Sequence, residues 1–377
     1  MSHVSKSTES LTCSFVLSFV LSFFQDNILL FENKFVSLRR ERNMNMNTNR
    51  IDYIDLAKGF CILLVIFHHV ALYYDYRYSC WIPLRSFRMP LYYILSGIFF
   101  RQYSGFIDFI RRKTNKLIIP FAFFYLLLSV PLTVLIKHKT VLDALLFFVH
   151  DHRFINGSVW FLLSLFEVNI IFYLILSISN HLPNKGVILA ALSLLCGLTG
   201  LYFSYIQFNC YFFIDTSLTA IPFFYFGYLL GWGGQKALRQ DFRWWQDISI
   251  VLLSVSFVLF FSKDLNFGQN YYSDYYSVYP CGILGTIAVL IISRRIGRLP
   301  LVSYIGRYSI IALCTHQVIL RVNGHFLNSV VGDVYTSLWI NFFITVLEML
   351  LVIPVFRRYL PYFTAQKDLI LIHKNIN

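Results

Sequence analysis

The sequence predicts an all-α, polytopic integral membrane protein of about ten transmembrane helices, with both termini in the cytoplasm. Hydrophobic residues make up 57% of the 377 positions and charged residues only 14%, whereas soluble domains carry about 25% charged residues. The apolar residues recur in runs long enough to cross a bilayer, and Lys and Arg concentrate on one predicted side. No substantial part of the chain is predicted to form a soluble domain.

The apolar runs set the predicted number of spans. A transmembrane helix needs about 20 predominantly apolar residues. Tyr and Trp cluster at the ends of several runs, as in the aromatic belts of membrane proteins. The predicted spans are 56–74, 81–100, 117–136, 159–179, 186–204, 212–231, 247–262, 276–293, 301–320 and 336–356.

The net charge of +13 follows from topology and does not indicate nucleic-acid binding. With the residues before the first span in the cytoplasm, the predicted inside segments hold 20 Lys and Arg and the outside segments hold 6. This is the bias of the positive-inside rule, so both termini are predicted to face the cytoplasm. The expected location is a cell membrane, the bacterial plasma membrane. The 7 cysteines lack metal-ligand spacing, so no metal site is predicted.

The first fifty residues differ from the rest. The apolar stretch 11–24 is short for a span and fits a signal-peptide core in length, but no basic stretch precedes it and no small-residue cleavage site follows. A start at Met44 or Met46 is the alternative interpretation. Residues 1–50 are therefore predicted to be an extension without a function, and residues 51–377 a single transmembrane domain.

The first span carries the strongest chemical signal, because ionisable groups inside hydrocarbon are costly and usually functional. Lys58 and His69 are eleven residues apart, which places both on one helix face, roughly 16.5 Å apart along the axis. Asp55 lies one turn before Lys58, where it can pair with it or cap the helix. Taken alone, Lys58 also fits a basic anchor at the membrane surface, and His69 an interhelical hydrogen bond.

Several segments together resemble the membrane-bound acyltransferase family 3 proteins. The stretch RIDYIDLAKGFCILLVIFHHV (50–70) is similar to the family's first helix, with its Arg/Lys-x10-His signature. FRMPLYYILSGIFF (87–100), SVWFLLSLFE (158–167) and LVSYIGRYSIIALCTHQ (301–317) resemble later segments in the same order. In 109–121 the basic-x-x-basic pair before a proline is Lys113 and Lys116. Arg is commoner there, and Lys lacks its bidentate phosphate geometry.

The resemblance implies an O-acyltransferase that moves an acyl group, by default acetyl, from acyl-CoA to a hydroxyl of a cell-envelope or exported glycan. It is most similar to the branch that acetylates sugars. Lys58, Lys113 and Lys116 would bind the phosphates of acetyl-CoA at the inner face. His69 would act as general base, because a low-dielectric site favours the neutral imidazole. An acyl-His69 intermediate is the alternative to direct transfer.

Further polar residues are candidates for supporting roles, each beside a simpler interpretation. Arg88 would be an oxyanion or phosphate partner. Ser96 would accept an acyl group, or permit close helix packing; Trp160 would stack on a sugar or belong to an aromatic belt. Glu167 would orient His69 or bind sugar hydroxyls, and His316 would act in the site or bond a backbone carbonyl.

Two other function classes remain open from the sequence. Buried Lys, Arg, His and Glu also suit a proton-coupled secondary transporter or a lipid-linked glycan flippase. Such carriers commonly show paired repeats with broken helices, which are not visible here. A non-catalytic membrane scaffold would explain neither the register of Lys58 with His69 nor the basic pair at Lys113 and Lys116.

Overall fold

The computed structural model describes residues 51–76, 82–150, 156–232 and 243–371, and these ranges are almost entirely helical. The all-α prediction is confirmed. The predicted extension 1–50 lies outside the described residues. One compact unit comprises Asp52–Arg77 and Ile82–Asn377. The other comprises Met1–Ile51 and Tyr78–Trp81, and of its residues only Ile51 is described.

The helices are numbered in chain order within the described ranges. They are α1 Asp52–Tyr73, α2 Ile82–Ile98, α3 Phe106–Lys137, α4 Val141–His150, α5 Trp160–Asn180, α6 Lys185–Tyr205, α7 Ile214–Trp232, α8 Trp244–Phe261, α9 Val278–Ile296, α10 Pro300–Arg307, α11 Ser309–Val330 and α12 Val334–Tyr359. Short 3₁₀ turns lead into α5 (Gly157–Val159) and α7 (Tyr211–Phe213). Between α8 and α9, the strands β1 Leu265–Asn266 and β2 Tyr271–Tyr272 pair antiparallel around a 3₁₀ turn.

Within the described ranges, eight helices are long and apolar enough to cross a membrane, namely α1, α3, α5, α6, α7, α8, α9 and α12, counted with the turns that continue them. They coincide with eight predicted spans. The other two predicted spans, 81–100 and 301–320, fall on α2 and on α10 with the start of α11. Helix α2 has only 17 residues, and both α2 and α11 carry polar side chains toward neighbouring helices. The total of about ten spans and the sidedness stay predictions.

The prediction of one continuous helix over 301–320 is wrong at Tyr308. This residue has φ −109° and ψ 31°, which separates α10 from α11. Its hydroxyl accepts a hydrogen bond of 3.0 Å from Arg357 at the end of α12. The break allows the short helix α10 to lie against the start of α1, as the contacts of Gly306 show. A Cβ at Gly306 would collide with the carbonyl oxygen of Asp55.

A second close helix contact joins α2 to α7 through glycine. A Cβ at Gly97 would meet the carbonyl oxygen of Phe224, and one at Gly227 would meet the carbonyl oxygen of Ile94. Backbones approach this closely only where side chains are missing, as in the small-residue interfaces of membrane helices. The Ser-Gly pair of the sequence motif therefore has a packing role at its glycine.

Helix α3 contains two π-helical turns, Thr114–Ile118 and Tyr125–Ser129. Each ends two residues before a proline, Pro120 or Pro131. A proline ring clashes with the carbonyl four residues earlier, and in both cases this carbonyl lies inside the π-helical turn. The wider turn removes the clash without breaking the helix.

The first π-helical turn also holds the end of the chain. Asn115 is fully buried; its Oδ1 accepts from the backbone N–H groups of Leu369 (3.0 Å) and Ile370 (2.8 Å), and its Nδ2 donates to the Ile370 carbonyl at 2.9 Å. The next residue, Lys116, pairs with Asp368 at 3.1 Å. Residues 365–370 are thus held against the first π-helical turn of α3.

An ion cluster joins α8 to α9 at their predicted cytoplasmic ends. The Asp247 side chain is only 3% exposed and accepts from Arg294 at 2.8 Å and from Arg295. Because two cations share one buried carboxylate, removal of that carboxylate would take an ion-pair partner from both guanidinium groups at once.

Candidate functional site

Lys58 and His69 lie on one uninterrupted helix. Because α1 runs without a break from Asp52 to Tyr73, the eleven-residue register places both side chains on one face, as the sequence predicts. His69 lies four residues before the end of α1, about 6 Å along the axis. The imidazole is therefore close to the predicted outer end of the helix, and Lys58 is near the inner end.

The His69 imidazole points into the bundle, toward the start of α5 and the middle of α11. Its Nε2 lies 3.4 Å from Ser158 Oγ, and Gln317 Nε2 lies 3.2 Å from both ring nitrogens. The His316 ring centroid is 5.2 Å from that of His69. Ser158 and His316 are buried, whereas His69 is partly accessible. The four side chains form a polar cluster, called here the imidazole cluster.

Backbone contacts fix the imidazole cluster from both sides. Asn156 adopts the left-handed conformation (φ 59°, ψ 43°) that Asn tolerates better than most residues. Its Nδ2 donates to the carbonyl of Cys314 at 2.9 Å, which ties the turn before α5 to α11. His316 Nδ1 lies 2.8 Å from the carbonyl oxygen of Ala312, one turn earlier. These contacts hold Ser158 and His316 in register with each other.

Arg88 supplies a positive charge next to the imidazole cluster. It lies in the middle of α2, partly buried, and interacts electrostatically with His68, His69 and Cys61. One turn earlier, Arg85 pairs with Asp264 at 2.5 Å. Arg85 is thus bound to the loop between α8 and α9, whereas Arg88 is the one of these two arginines that acts on His69.

The donor-side residues of the prediction lie toward the other end of α1. Lys58 and Asp55 are both partly buried, and the Tyr92 hydroxyl donates to the Lys58 carbonyl at 3.0 Å. The Tyr92 ring contacts Phe161 at a centroid distance of 5.6 Å. Tyr92 therefore joins α2 to the backbone of α1 at Lys58, and its ring packs on α5.

Glu167 and Ser96 belong to other polar contacts. Glu167 Oε2 accepts from Ser217 at 2.8 Å, and the Ser217 hydroxyl in turn lies 2.7 Å from that of Ser164. Ser96 accepts a long hydrogen bond of 3.4 Å from Asn169. The structure therefore places Glu167 in a hydrogen-bond network between α5 and α7, separate from the contacts of the imidazole cluster.

Trp160, Lys113 and Lys116 also lie apart from the imidazole cluster. The Trp160 ring is 5.7 Å from that of Phe213, between the starts of α5 and α7. Lys113 Nζ lies over the Phe109 ring at 5.5 Å. Lys116 is paired with the C-terminal segment described above, so this segment and a phosphate would compete for its ammonium group.

The comparisons with known proteins address the class of the chain. The acyltransferase family 3 model, described as an acyltransferase domain, matches residues 51–358. The chain belongs to acyltransferase family 3. Among curated proteins and solved structures, nothing matches significantly. The resemblance seen in the motifs is confirmed, and the protein is an acyltransferase with a multi-pass membrane domain.

Two residues of the imidazole cluster, Ser158 and Gln317, were not singled out from the sequence, nor was Asn156, which holds the turn before α5 to α11. Ser158 and Gln317 stand inside motifs that were recognised, next to Trp160 and His316, and Asn156 just precedes the first of these motifs. A polar residue immediately before or after a long apolar run was the available signal. Among the described residues, no group of three or more His, Cys, Asp or Glu could hold a metal ion.

Proposed function

We propose that this acyltransferase resides in a bacterial plasma membrane and transfers an acetyl group from acetyl-CoA to a hydroxyl of a cell-envelope or exported glycan, with His69 as general base. The observation that carries the proposal is the position of the His69 imidazole. It is inside the bundle, partly accessible, held by polar side chains, and on the same helix face as Lys58.

The basic residues near the predicted inner face support the choice of donor. Acetyl-CoA carries several phosphates, which need cations at the face from which the donor arrives. In the proposal, Lys58 and Lys113 bind these phosphates, and Lys116 joins them when it leaves Asp368 and the carbonyl of Ala365. The separation of Lys58 from His69 along α1, about 16.5 Å, suits an extended pantetheine arm.

The reaction at His69 follows from its chemistry. The neutral imidazole takes the proton of the acceptor hydroxyl as the oxygen attacks the thioester carbonyl carbon. A tetrahedral intermediate forms, and its negative oxygen is stabilised by the charge of Arg88. The carbon–sulfur bond then breaks, the ester forms, and the imidazolium returns its proton to the sulfur of CoA.

The outer end of the bundle supports an exported acceptor. His69 lies about one turn from the predicted outer end of α1, so an acceptor outside the cell has the shorter approach. The partly exposed Trp160 ring offers a surface on which a sugar can stack. Glu167 and its serine partners offer acceptors and donors for sugar hydroxyls. These roles are part of the proposal.

The experiment compares His69→Ala with His181→Ala in proteoliposomes supplied with labelled acetyl-CoA and glycan from a strain that lacks the gene. His181 is an exposed histidine at the end of α5 and serves as the control. Loss of the general base should lower transfer by about 10²- to 10⁴-fold, and the control should keep wild-type transfer. Wild-type transfer by His69→Ala would refute the proposal.

A further inference from the structure

The hydrogen-bond partners of His316 define where its proton lies. Its Nδ1 is 2.8 Å from the carbonyl oxygen of Ala312. A carbonyl oxygen can only accept, so Nδ1 must carry the proton. Burial of an uncompensated charge is costly, and the fully buried His316 is therefore neutral in this arrangement. Its Nε2 then has a lone pair and can only accept.

The Ser158 hydroxyl is the donor to that lone pair. Ser158 Oγ lies 3.3 Å from His316 Nε2, and because Nε2 has no proton, the hydroxyl proton must point toward it. Gln317 Nε2 donates to the same Oγ at 2.7 Å. A hydroxyl has one proton and two lone pairs, so one lone pair of Ser158 remains for a further donor.

His69 Nε2 faces this remaining lone pair at 3.4 Å. The Ser158 proton is already used, so the contact is attractive only if His69 carries its own proton on Nε2. Its Nδ1 then keeps a lone pair. In this arrangement every hydrogen-bonding position of the Ser158 hydroxyl is used. Its contacts with His69 (3.4 Å) and His316 (3.3 Å) are long, as catalytic hydrogen bonds often are before substrate binds.

Gln317 fixes the orientation of the His69 ring without occupying Nδ1. Its amide nitrogen is 3.2 Å from both ring nitrogens. The in-plane lone-pair directions of the two nitrogens diverge, so an equidistant donor lies over the ring face and not in the ring plane. The in-plane direction at Nδ1 is thus left for a substrate hydroxyl.

We propose that Ser158, supported by His316, and Gln317 are positioning residues that hold His69 as the Nε2–H tautomer, so that Nδ1 accepts the proton of the acceptor hydroxyl. The inference rests on the proposed function, because it assigns the basic atom of the proposed base. It also gives Ser158 a non-covalent role, which its burial at 4% exposure supports.

A spectroscopic experiment tests the tautomer without any need for activity. The full-length protein, labelled with ¹⁵N-histidine and reconstituted in lipid nanodiscs, is compared with His69→Gln to identify the two nitrogen resonances of His69. We expect Nε2 to be of the protonated type and Nδ1 of the unprotonated type. In Ser158→Ala this preference should be lost. A proton on Nδ1 in the unsubstituted protein would overturn the inference.

Kinetics of three variants complete the test. Ser158→Ala should lower kcat about 10- to 100-fold, by analogy with the removal of a hydrogen-bond partner from a metal-bound histidine, and leave KM for acetyl-CoA unchanged. Ser158→Thr keeps the hydroxyl and should recover most of the activity. Ser179→Ala, a buried serine at the other end of α5, is the matched control and should behave like wild type.

The outcomes separate the two proposals. An inactive His69→Ala together with a Ser158→Ala of wild-type kcat would refute the positioning role alone. An acetyl group found on Ser158 by mass spectrometry of quenched enzyme would also refute it, since Ser158 would then be a reactant. A fully active His69→Ala would instead refute the proposed function itself.

Discussion

The attachment of the C-terminal segment to α3 leads to a quantitative prediction. Asn115→Ala removes all three hydrogen bonds that join this side chain to the backbone of Leu369 and Ile370. Each is worth about 1 kcal/mol net, so together they contribute about 3 kcal/mol to docking of the segment. This corresponds to a roughly 100-fold change in the docking equilibrium.

The neighbouring ion pair provides an internal comparison. Lys116 and Asp368 are 47% and 39% exposed at their side chains, and an exposed pair contributes about 0.5 kcal/mol. Asp368→Asn should therefore change the docking equilibrium only about twofold. The buried Asn115 side chain should therefore contribute more to docking of the C-terminal segment than the exposed ion pair does.

Hydrogen–deuterium exchange of peptides that cover 366–371 measures both effects in nanodiscs, because exchange there requires local opening. Asn115→Ala should exchange about 100-fold faster than wild type. Asn169→Ala, a buried asparagine in α5, serves as the control and should not change this region. Faster exchange in Asp368→Asn than in Asn115→Ala would refute the prediction, because it would mean that the exposed ion pair stabilises the docked segment more than the buried hydrogen bonds do.

Three further predictions concern stability. Asp247→Asn should destabilise the bundle by up to roughly 3 kcal/mol, since it removes the buried carboxylate that Arg294 and Arg295 share; an unchanged midpoint of thermal unfolding in detergent would contradict this. Gly97→Val should lower the same midpoint, because the new side chain meets the carbonyl oxygen of Phe224; the cost is about 1–3 kcal/mol or more. Gly186→Ala is the control, since Gly186 has open space around it, and it should leave the midpoint unchanged. Hydrogen bonds from Thr336, first from its hydroxyl and then from its N–H, hold the pKa of Asp333 below its usual 3.8. The cap therefore stabilises α12 above about pH 4 and is lost as the pH falls further; exchange at the start of α12 should accelerate there in wild type but not in Asp333→Asn.

Much of the architecture was predictable because the bilayer imposes a strong constraint on composition. Apolar length identifies a span whatever its neighbours are, and eight predicted spans correspond to long apolar helices. The register of Lys58 with His69 was predictable as well, since it depends only on the helix repeat. The motifs of the first span and later segments identified the family, which the match over 51–358 confirms.

The break at Tyr308 and the partners of His69 were not predictable in the same way. Hydropathy averaged over 301–320 is apolar although SYIGRYS (303–309) is polar, so the average does not register a single residue that leaves helical geometry. Ser158 and Gln317 are separated by 159 positions in the chain, and no local pattern reveals that α5 and α11 bring them together. Such contacts depend on helix packing, which follows from side-chain shape across many helices.

The glycine contacts of α1 with α10 and of α2 with α7 have a mechanical consequence. Glycines lie in α1, α2, α6, α7, α9, α10 and α11, whereas α3, α4, α5, α8 and α12 contain none. Backbones in direct contact cannot slide past each other, but helices that touch through long side chains can shift as rotamers change. The helices that carry Lys58, His69 and Arg88, namely α1 and α2, are thus held by direct backbone contacts to α10 and α7. We expect substrate exchange to proceed by shifts of glycine-free helices such as α3, α8 and α12, while the distances among Lys58, His69 and Arg88 stay constant.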